Sequence, residues 1–271
     1  MKPWLNSPTA DLSRVLWHHV SRTSSTQAAL KAIVSKKVST LNLTDPVHVL
    51  SADMQTAGIG QRGNTWLTPK GALAMTCAFP WSRKWIDKLP FVALCGTVAV
   101  ADALQAYGLF VQIKWANDIL MREKKMGGVL VENLMHEGNS QSMILLMGIG
   151  LNVNNVAESM IITDQPVTSC VDETGKSFDL RCLRHDIFAA VWLRMHHLVE
   201  KGEAELLESV NSLLAFRGKN IIFEAEGTKT VGTLMGINAY GHLRVCCEGL
   251  EIIYRNGRIR LFSGNFSECS P

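Results

Sequence analysis

Two polar motifs separated by a short gap constrain the fold of this chain more than any other feature. Residues 114–118 read Lys-Trp-Ala-Asn-Asp, and residues 125–128 read Lys-Met-Gly-Gly before an apolar run that ends at Glu132. Both motifs adjoin strand-like apolar segments, where burying an unpaired charge or amide is costly. The spacing therefore predicts neighbouring strands whose polar residues line a site.

Composition limits the classes of protein that this chain can represent. With 271 residues, 47% of them hydrophobic, the chain can bury a full core, and one large domain with one small domain is the natural division. The net charge of +3 is slight and the basic residues are scattered, so we expect no direct binding to nucleic acid. The longest apolar stretch, residues 91–104, is too short and too interrupted for a membrane span.

The cysteines and histidines carry no metal-site pattern. The seven cysteines are odd in number, form no Cys-x-x-Cys pair, and in several cases lie in apolar runs, as small buried hydrophobes do. We therefore expect a reducing, cytoplasmic environment, and the lack of an apolar signal core near the start predicts no export. The histidine pairs His18-His19 and His196-His197 lack ligand spacing with acids, so we expect them on the surface or on helices.

Apolar periodicity predicts an α+β protein with mixed strands and helices. The predicted helices cover residues 23–34, 91–107 and 183–214. The predicted strands cover residues 47–52, 73–79, 110–115, 128–132 and 143–153, with a turn at 117–125. From residue 219 to 262, short alternating runs separated by turn signals are typical of a small β-barrel. We therefore predict a large domain at 1–214, a small domain at 215–264 and a tail at 265–271.

A glycine-rich segment stands between two predicted strands. Residues 58–66 read Gly-Ile-Gly-Gln-Arg-Gly-Asn-Thr-Trp and contain a formal Gly-x-Gly-x-x-Gly, which is a weak signal alone. A dinucleotide fingerprint needs a helix directly after the glycines, whereas Pro69 and Gly71 follow here. Two interpretations stay open. The segment is an anion-binding loop in which Arg62 supplies a fixed charge, or it is a glycine hairpin with one exposed arginine.

Taken together, the motifs resemble those of the biotin–protein ligases. The family's glycine loop and tryptophan match residues 58–66, its Lys-Trp-Pro-Asn-Asp matches 114–118, and its Lys-x-Gly-Gly-x-x-x-Glu matches 125–132. Residues 148–154 are similar to its Gly-x-Gly-x-Asn strand end, residues 25–27 to its Ser-Thr-Asn, and Thr168-Ser169 form a weaker match. The resemblance implies a mixed β-sheet flanked by helices, of the class II synthetase type, followed by a small SH3-like β-barrel.

The resemblance also implies a reaction in two steps. Biotin's carboxylate attacks the α-phosphate of ATP to give biotinoyl-AMP and pyrophosphate, and a lysine of a biotin carboxyl carrier domain then takes the biotinoyl group. Implied small molecules are biotin, ATP and Mg²⁺, and a homodimer is left open. We expect the small domain to support the site and dock the acceptor. We expect no DNA-binding helix-turn-helix ahead of Ser24, and hence no repressor function.

Roles carry over from the resemblance residue by residue. Lys125 and Arg62 would be catalytic, and the nearest carboxylate to Mg²⁺ would be Asp118. The implied biotin-binding residues are Ser25, Thr26, Gln27, Gln55, Gly58, Ile59, Gly60, Gln61, Lys125 and Gly128. The implied ATP-binding residues are Arg62, Trp66, Lys114, Asn117, Asp118 and Asn152. Structural interpretations stay open for several: Ser25 and Thr26 as a helix cap, Lys114 as a strand-edge charge, and Lys125 as a solvated turn lysine.

Three departures from the family pattern leave the activity to be tested. Ile59 and Gln61 stand where arginines are common, and neither replaces a bidentate cation. Ala116 replaces a proline, which costs only some rigidity. Two alternatives therefore remain: a lipoyl- or octanoyl-transferring relative of the same fold, and a non-catalytic protein that senses biotin or serves interactions.

Overall fold

The computed structural model describes residues 14–135, 141–155, 165–225 and 227–262, which form two β-sheets and five α-helices. The first sheet contains β1 (Val15–Thr23), β2 (Val47–Ile59), β3 (Thr65–Thr68), β4 (Leu73–Ser82), β5 (Gln112–Lys114), β6 (Asp118–Met121), β7 (Lys124–Leu134) and β8 (Ser142–Leu151). The helices are α1 (Thr26–Val34), α2 (Leu89–Gln105), α3 (Cys170–Thr174), α4 (Leu180–Lys201) and α5 (Ala204–Leu213). The second sheet contains β9 (Asn220–Ala225), β10 (Thr228–Ile237), β11 (Leu243–Cys247), β12 (Leu250–Tyr254) and β13 (Arg258–Leu261).

The large sheet is mixed, as the sequence predicts. Its order is β1-β2-β4-β8-β7-β6-β5, with β3 attached to β2. β1 runs parallel to β2, and the remaining neighbours are antiparallel. This order places β7 beside β8, so the ends of the two strands that carry the 125–128 and 148–152 motifs meet.

Helices cover both faces of the large sheet. α2 is almost wholly buried and packs with α4 and α5 over one face, where it forms the main core with β4, β7 and β8. α1 covers the other face through a smaller cluster that includes Leu30, Leu50 and Leu146. Burial on α2 raises the pKa of the Cys95 thiol to about 12, so that cysteine is protonated and packs as an apolar group.

Three details of the predicted secondary structure are wrong. The predicted turn at 117–125 contains β6, because four residues are too few to reveal an alternating pattern. The predicted helix at 183–214 is two helices separated at Gly202, whose φ of +84° favours glycine and ends α4. β1 was not predicted, since its exposed and polar residues obscure the alternation. It carries His18 and His19, and His19 is exposed, in line with the expected surface position.

The second sheet is antiparallel, in the order β12-β11-β10-β9-β13. Predicted turn signals at Gly241, Gly249 and Gly257 all fall between its strands and have positive φ. The predicted turn at residue 226 lies outside the described residues. Among strands β9 to β13 no pairing closes the sheet into a barrel, but the arrangement is consistent with an SH3-like domain.

Contacts from the second sheet reach segments that carry the sequence motifs. The Trp115 indole Nε1 donates to the Gly241 carbonyl at 2.9 Å in a buried hydrogen bond. The Lys219 ammonium lies 2.6 Å from the Glu123 carboxylate, at the turn between β6 and β7. Gly241 also packs on α2, where an added Cβ would lie 3.3 Å from Leu94. The small sheet therefore braces the strands that carry residues 114–128.

In the stretches of chain that the structure describes, no helix combines the length and apolar character needed to cross a membrane.

Candidate active site

Two lysines share one carboxylate at the end of the motif strands, which we define as β5, β6 and β7. Lys125 Nζ lies 2.6 Å from Asp118 Oδ1, and Lys114 Nζ lies 3.9 Å from Asp118 Oδ2. Lys114 also donates to Gln165 Oε1 at 2.8 Å. These side chains are only 14–26% exposed. Two ammonium groups against one carboxylate leave a net positive charge, which suits a phosphate or carboxylate ligand.

Strand register brings these three residues together. β5 pairs Lys114 with Asp118, and β6 pairs Asp118 with Gly128. A β-bulge shifts the β6–β7 register between Ile119 and Leu120, and such bulges commonly redirect a side chain beside a site. The Lys125 main chain is fixed as well, because its N–H donates to Pro166 O at 2.7 Å and its carbonyl accepts from Thr168 N at 2.9 Å.

A tryptophan packs over the end of β8 beside the lysine cluster. The Trp66 ring centroid lies 5.8 Å from Lys125 Nζ, within cation–π range. A Cβ on Gly150 would lie 2.5 Å from the Trp66 ring, so only glycine permits this contact. Among the described residues, the buried atoms Trp66 Nε1 and Asn152 Oδ1 have no hydrogen-bond partner. Unused buried donors and acceptors are rare, so this corner is a candidate for binding a ligand.

The two motif asparagines are held by backbone groups. Asn117 Nδ2 donates to Val129 O at 2.9 Å, and Val129 N donates to Asn117 O at 2.9 Å. Asn152 Nδ2 donates to Thr168 O at 3.1 Å, which leaves only its oxygen unpaired. The Asn117 amide thus donates to the strand end, whereas the Asn152 oxygen has no donor among the described residues. Beside them, a Cβ on Gly128 would lie 3.3 Å from the Asn117 carbonyl, a close approach of backbone to backbone.

A chain of polar side chains crosses the sheet next to the lysine cluster. Gln55 Oε1 accepts from the Thr26 backbone N at 2.7 Å, and Gln55 Nε2 donates to Thr68 Oγ1 at 2.8 Å. Thr26 Oγ1 lies 3.0 Å from Gln55 Oε1 and 2.9 Å from Thr76 Oγ1. Gln27 continues the chain beyond Thr76. The structure thus brings Thr26, Gln27 and Gln55 together.

Ser25 is the N-cap of α1. Its hydroxyl oxygen accepts from Ala28 N at 3.4 Å, and its side chain is 2% exposed. This is the helix-cap geometry that the sequence left open, whereas the Thr26 hydroxyl turns into the polar chain. One hydroxyl therefore caps the helix, and its neighbour is directed toward Gln55 and Thr76.

The glycine loop, residues 58–66, forms a hairpin between β2 and β3, in which Gly58 pairs with Trp66 and Ile59 with Thr65. A Cβ on Gly58 would lie 2.2 Å from Trp66 O, and Gly60 N donates to Asn64 O at 2.7 Å. Ile59 is 44% exposed, and Gln61 and Arg62 are exposed. Arg62, at φ 57°, donates from Nη2 to Gly257 O at 3.0 Å in the second sheet. Among the described contacts, none joins Arg62 to the lysine cluster.

Sequence patterns assigned no site role to four residues of this region, although Glu132 and Thr168 lie in matched motifs. Gln165 binds Lys114, Thr168 holds Asn152, and Thr76 and Glu132 extend the polar chain. Thr76 is a polar residue inside the apolar run of β4, which is a signal that could have been used. The contacts of Gln165 join residues 51 positions apart, so no local pattern reveals them.

Comparison with known proteins agrees with this geometry. Residues 20–152 match the model of the Biotin/lipoate A/B protein ligase family. A bifunctional ligase/repressor of Bacillus spizizenii is 35% identical over 211 residues, covering 75% of this chain and 63% of that protein. A biotin–[acetyl-CoA-carboxylase] ligase of Paracoccus denitrificans is 29% identical over 233 residues, covering 83% of this chain and 91% of that protein.

Solved structures place the fold in the same class. The biotin protein ligase from Aquifex aeolicus in complex with biotin and ATP has a TM-score of 0.72 at 25% identity, covering 92% of this chain and 98% of that one. Fold and motifs together resemble those of the biotin and lipoate ligase class. Within that class, the chain is similar in sequence and in fold to biotin–protein ligases. It spans 29% of the length of a human relative and 65% of one from Escherichia coli.

Proposed function

We propose that this protein is an ATP-dependent biotin–protein ligase that forms biotinoyl-5'-AMP and transfers biotin to a lysine of a biotin carboxyl carrier domain. The observation that carries the proposal is the position of Lys125, 2.6 Å from Asp118 and 5.8 Å from the centroid of the Trp66 ring. A cation beside an aromatic face suits a nucleotide whose phosphate meets an ammonium while its base stacks. The family relationship supports biotin as the second substrate.

In the first step, a carboxylate oxygen of biotin bonds to the α-phosphorus as the bond to the pyrophosphate oxygen breaks. Negative charge builds on the phosphoryl oxygens and on the leaving group. Lys125 would bind biotin's carboxylate and the α-phosphate, bringing the two anions together, and Lys114 would meet a phosphate oxygen. Asp118 keeps both ammonium groups in place beforehand, so little reorganisation is needed as charge develops.

The two ligands would occupy adjacent parts of the site. Thr26 and Gln55 would bind the polar atoms of biotin's ureido ring, with Gly58, Gly60 and Gly128 allowing close backbone approach. We assign Trp66 to adenine stacking. We assign the unpaired Asn152 oxygen to a donor on the nucleotide, which would satisfy the buried acceptor. Ile59 and Gln61 would close over the ligand from the glycine loop.

Magnesium would enter with ATP. The part of the chain that the structure describes contains no group of three or more His, Cys, Asp or Glu side chains able to hold a metal ion. One carboxylate plus substrate phosphates is a common way for proteins to bind Mg²⁺. Asp118 fits that role, because its Oδ2 lies 3.9 Å from Lys114 Nζ, whereas Lys125 contacts the other oxygen. The ion would neutralise phosphate charge on the nucleotide.

In the second step, the acceptor lysine's amine attacks the biotinoyl carbonyl carbon and AMP departs with the bonding electrons. Lys125 would again stabilise the charge that builds on the carbonyl oxygen and the phosphate. The second sheet braces residues 114–128 and would offer a surface to the acceptor domain. The domain boundary near residue 215 and a homodimeric state stay predictions.

Pyrophosphate release tests the proposal and separates the alternatives. Purified protein should release pyrophosphate with biotin and ATP, and should biotinylate a carrier domain when that is added. Lipoate and octanoate serve as matched acids. Preference for either of these acids would identify a lipoyl- or octanoyl-transferring relative. Biotin binding without pyrophosphate release would identify a non-catalytic sensor.

A further inference from the structure

Glu132 ends the 125–132 motif but lies apart from the lysine cluster. Its Oε2 accepts from Gln27 Nε2 at 3.1 Å, and the same amide nitrogen donates to Leu146 O at 3.4 Å. Gln27 is only 3% exposed. Reversing its amide would set the oxygen against a carboxylate and a carbonyl, so the orientation is fixed. The Gln27 oxygen must therefore face the other way, toward Thr76.

Thr76 has one hydroxyl hydrogen and two neighbouring acceptors. Its Oγ1 lies 3.2 Å from Gln27 Oε1 and 2.9 Å from Thr26 Oγ1. Thr76 is fully buried, and among the described contacts it is the only donor near Gln27 Oε1. If it donated to Thr26 instead, a buried carbonyl would have no donor, which is unfavourable. The Thr76 hydrogen is therefore directed to Gln27.

This choice sets the direction of the remaining hydrogen bonds. Thr76 Oγ1 then accepts the hydroxyl hydrogen of Thr26. The Gln55 oxygen, which already accepts from Thr26 N, keeps a lone pair that the Thr26 hydroxyl does not use. Thr26 and Gln55 both present acceptors as a result. A cyclic urea offers two N–H donors, so the two acceptors are oriented for that ring before it binds.

We propose that Glu132 is a positioning residue for biotin: through Gln27 and Thr76 it directs the hydroxyl hydrogens so that Thr26 and Gln55 accept from the ureido N–H groups. The inference rests on the proposed biotin-binding function and adds a residue that does not touch the ligand. Reversing the direction of the hydrogen bonds at Glu132 would change the groups that Thr26 and Gln55 present to biotin. Thr26 would then donate to Gln55 and occupy the acceptor that the ureido ring needs.

Charge reversal at residue 132, with an isosteric control, tests this direction. Glu132→Lys places a donor against Gln27 and favours the opposite direction of the hydrogen bonds. The Kd for biotin, measured by calorimetry, should therefore rise about tenfold or more. Glu132→Gln can still accept from Gln27 and should stay within about twofold of the parent. Glu208→Lys makes the same change at an exposed position of α5 and should leave the Kd unchanged.

Substrate dependence separates a change of direction from general damage. In Glu132→Lys the KM for biotin should rise while the KM for ATP and the kcat with saturating biotin stay near the parent values. Biotin methylated on one ureido nitrogen has one donor fewer, so the variant's loss of affinity should shrink for it. Unchanged biotin affinity in Glu132→Lys, or equal losses in Glu132→Lys and Glu132→Gln, would overturn the proposal.

Thr76 gives a second pair of variants that preserves strand packing. Thr76→Val removes the hydroxyl that links Gln27 to Thr26 and should lower the affinity for biotin about tenfold. Thr76→Ser keeps that hydroxyl and should not lower the affinity. If Glu132→Lys does not fold by circular dichroism, this pair decides, and equal biotin affinities of the two Thr76 variants would contradict the inference. Failure of the proposed function is a different result, because the unaltered protein would then not bind biotin at all.

Discussion

The motif strands and the glycine loop are both strand-paired, but they differ in how far their side chains are exposed. Lys125, Lys114 and Asp118 are fixed by strand pairing, a bulge and ion pairs, and are mostly buried. In the loop, Ile59 and Arg62 are exposed. The contrast separates two tasks. Charges that must be in place beforehand belong on buried, paired strands, whereas exposed side chains at the tip of a hairpin are accessible to an incoming ligand.

The largest expected effect concerns the rigid side. Lys125→Ala should slow pyrophosphate release by about a hundredfold or more, because a preorganised charge donor is lost. Lys124→Ala is the matched control: it is the adjacent lysine of β7, 52% exposed, and lies 4.0 Å from Glu173 rather than in the cluster. Single-turnover adenylation measures both variants. A Lys125→Ala rate close to that of Lys124→Ala would show that the rigid cluster is not the reaction centre.

The next effect concerns the loop and its missing arginine. Ile59→Arg should slow the release of biotinoyl-AMP about tenfold, equivalent to about 1.4 kcal/mol, because a cation would then face the intermediate's phosphate. Ile59→Gln has similar length without charge and should change little. Trapping the intermediate and following its loss with time gives the rate. Equal lifetimes in all three proteins would mean that the loop already retains the intermediate without an arginine.

The smallest effect separates two roles for Arg62. Its guanidinium donates to the Gly257 carbonyl, so Arg62→Ala should change adenylation by less than about threefold, as loss of an exposed contact does. Arg258→Ala, at an exposed position of β13, is the control. A loss comparable with that of Lys125→Ala would mean that Arg62 turns into the site during turnover. That result would support the catalytic role that the family resemblance implies for Arg62.

Sequence patterns located the lysines of the candidate site better than the long-range contacts that surround them. The lysines of residues 114–125 are local and lie on strands, so short motifs capture them. The mixed sheet also followed from apolar runs such as those of β4 and β8. β6 was missed because its four residues form one strand between two short turns. The orientation of Gln27 depends on Glu132, 105 positions away, and no local pattern encodes that distance.

The hydrogen bond between Trp115 and Gly241 affects the order in which the protein folds. The indole N–H finds its acceptor 126 residues later in the chain. During synthesis the catalytic motif therefore leaves the ribosome long before the segment that satisfies it. Until residue 241 follows, the Trp115 indole N–H and the apolar side chains of Phe91 and Leu94 stay exposed to water. The bracing of residues 114–118 thus comes from a segment that is made later, and a nascent chain gains it only when residue 241 has docked.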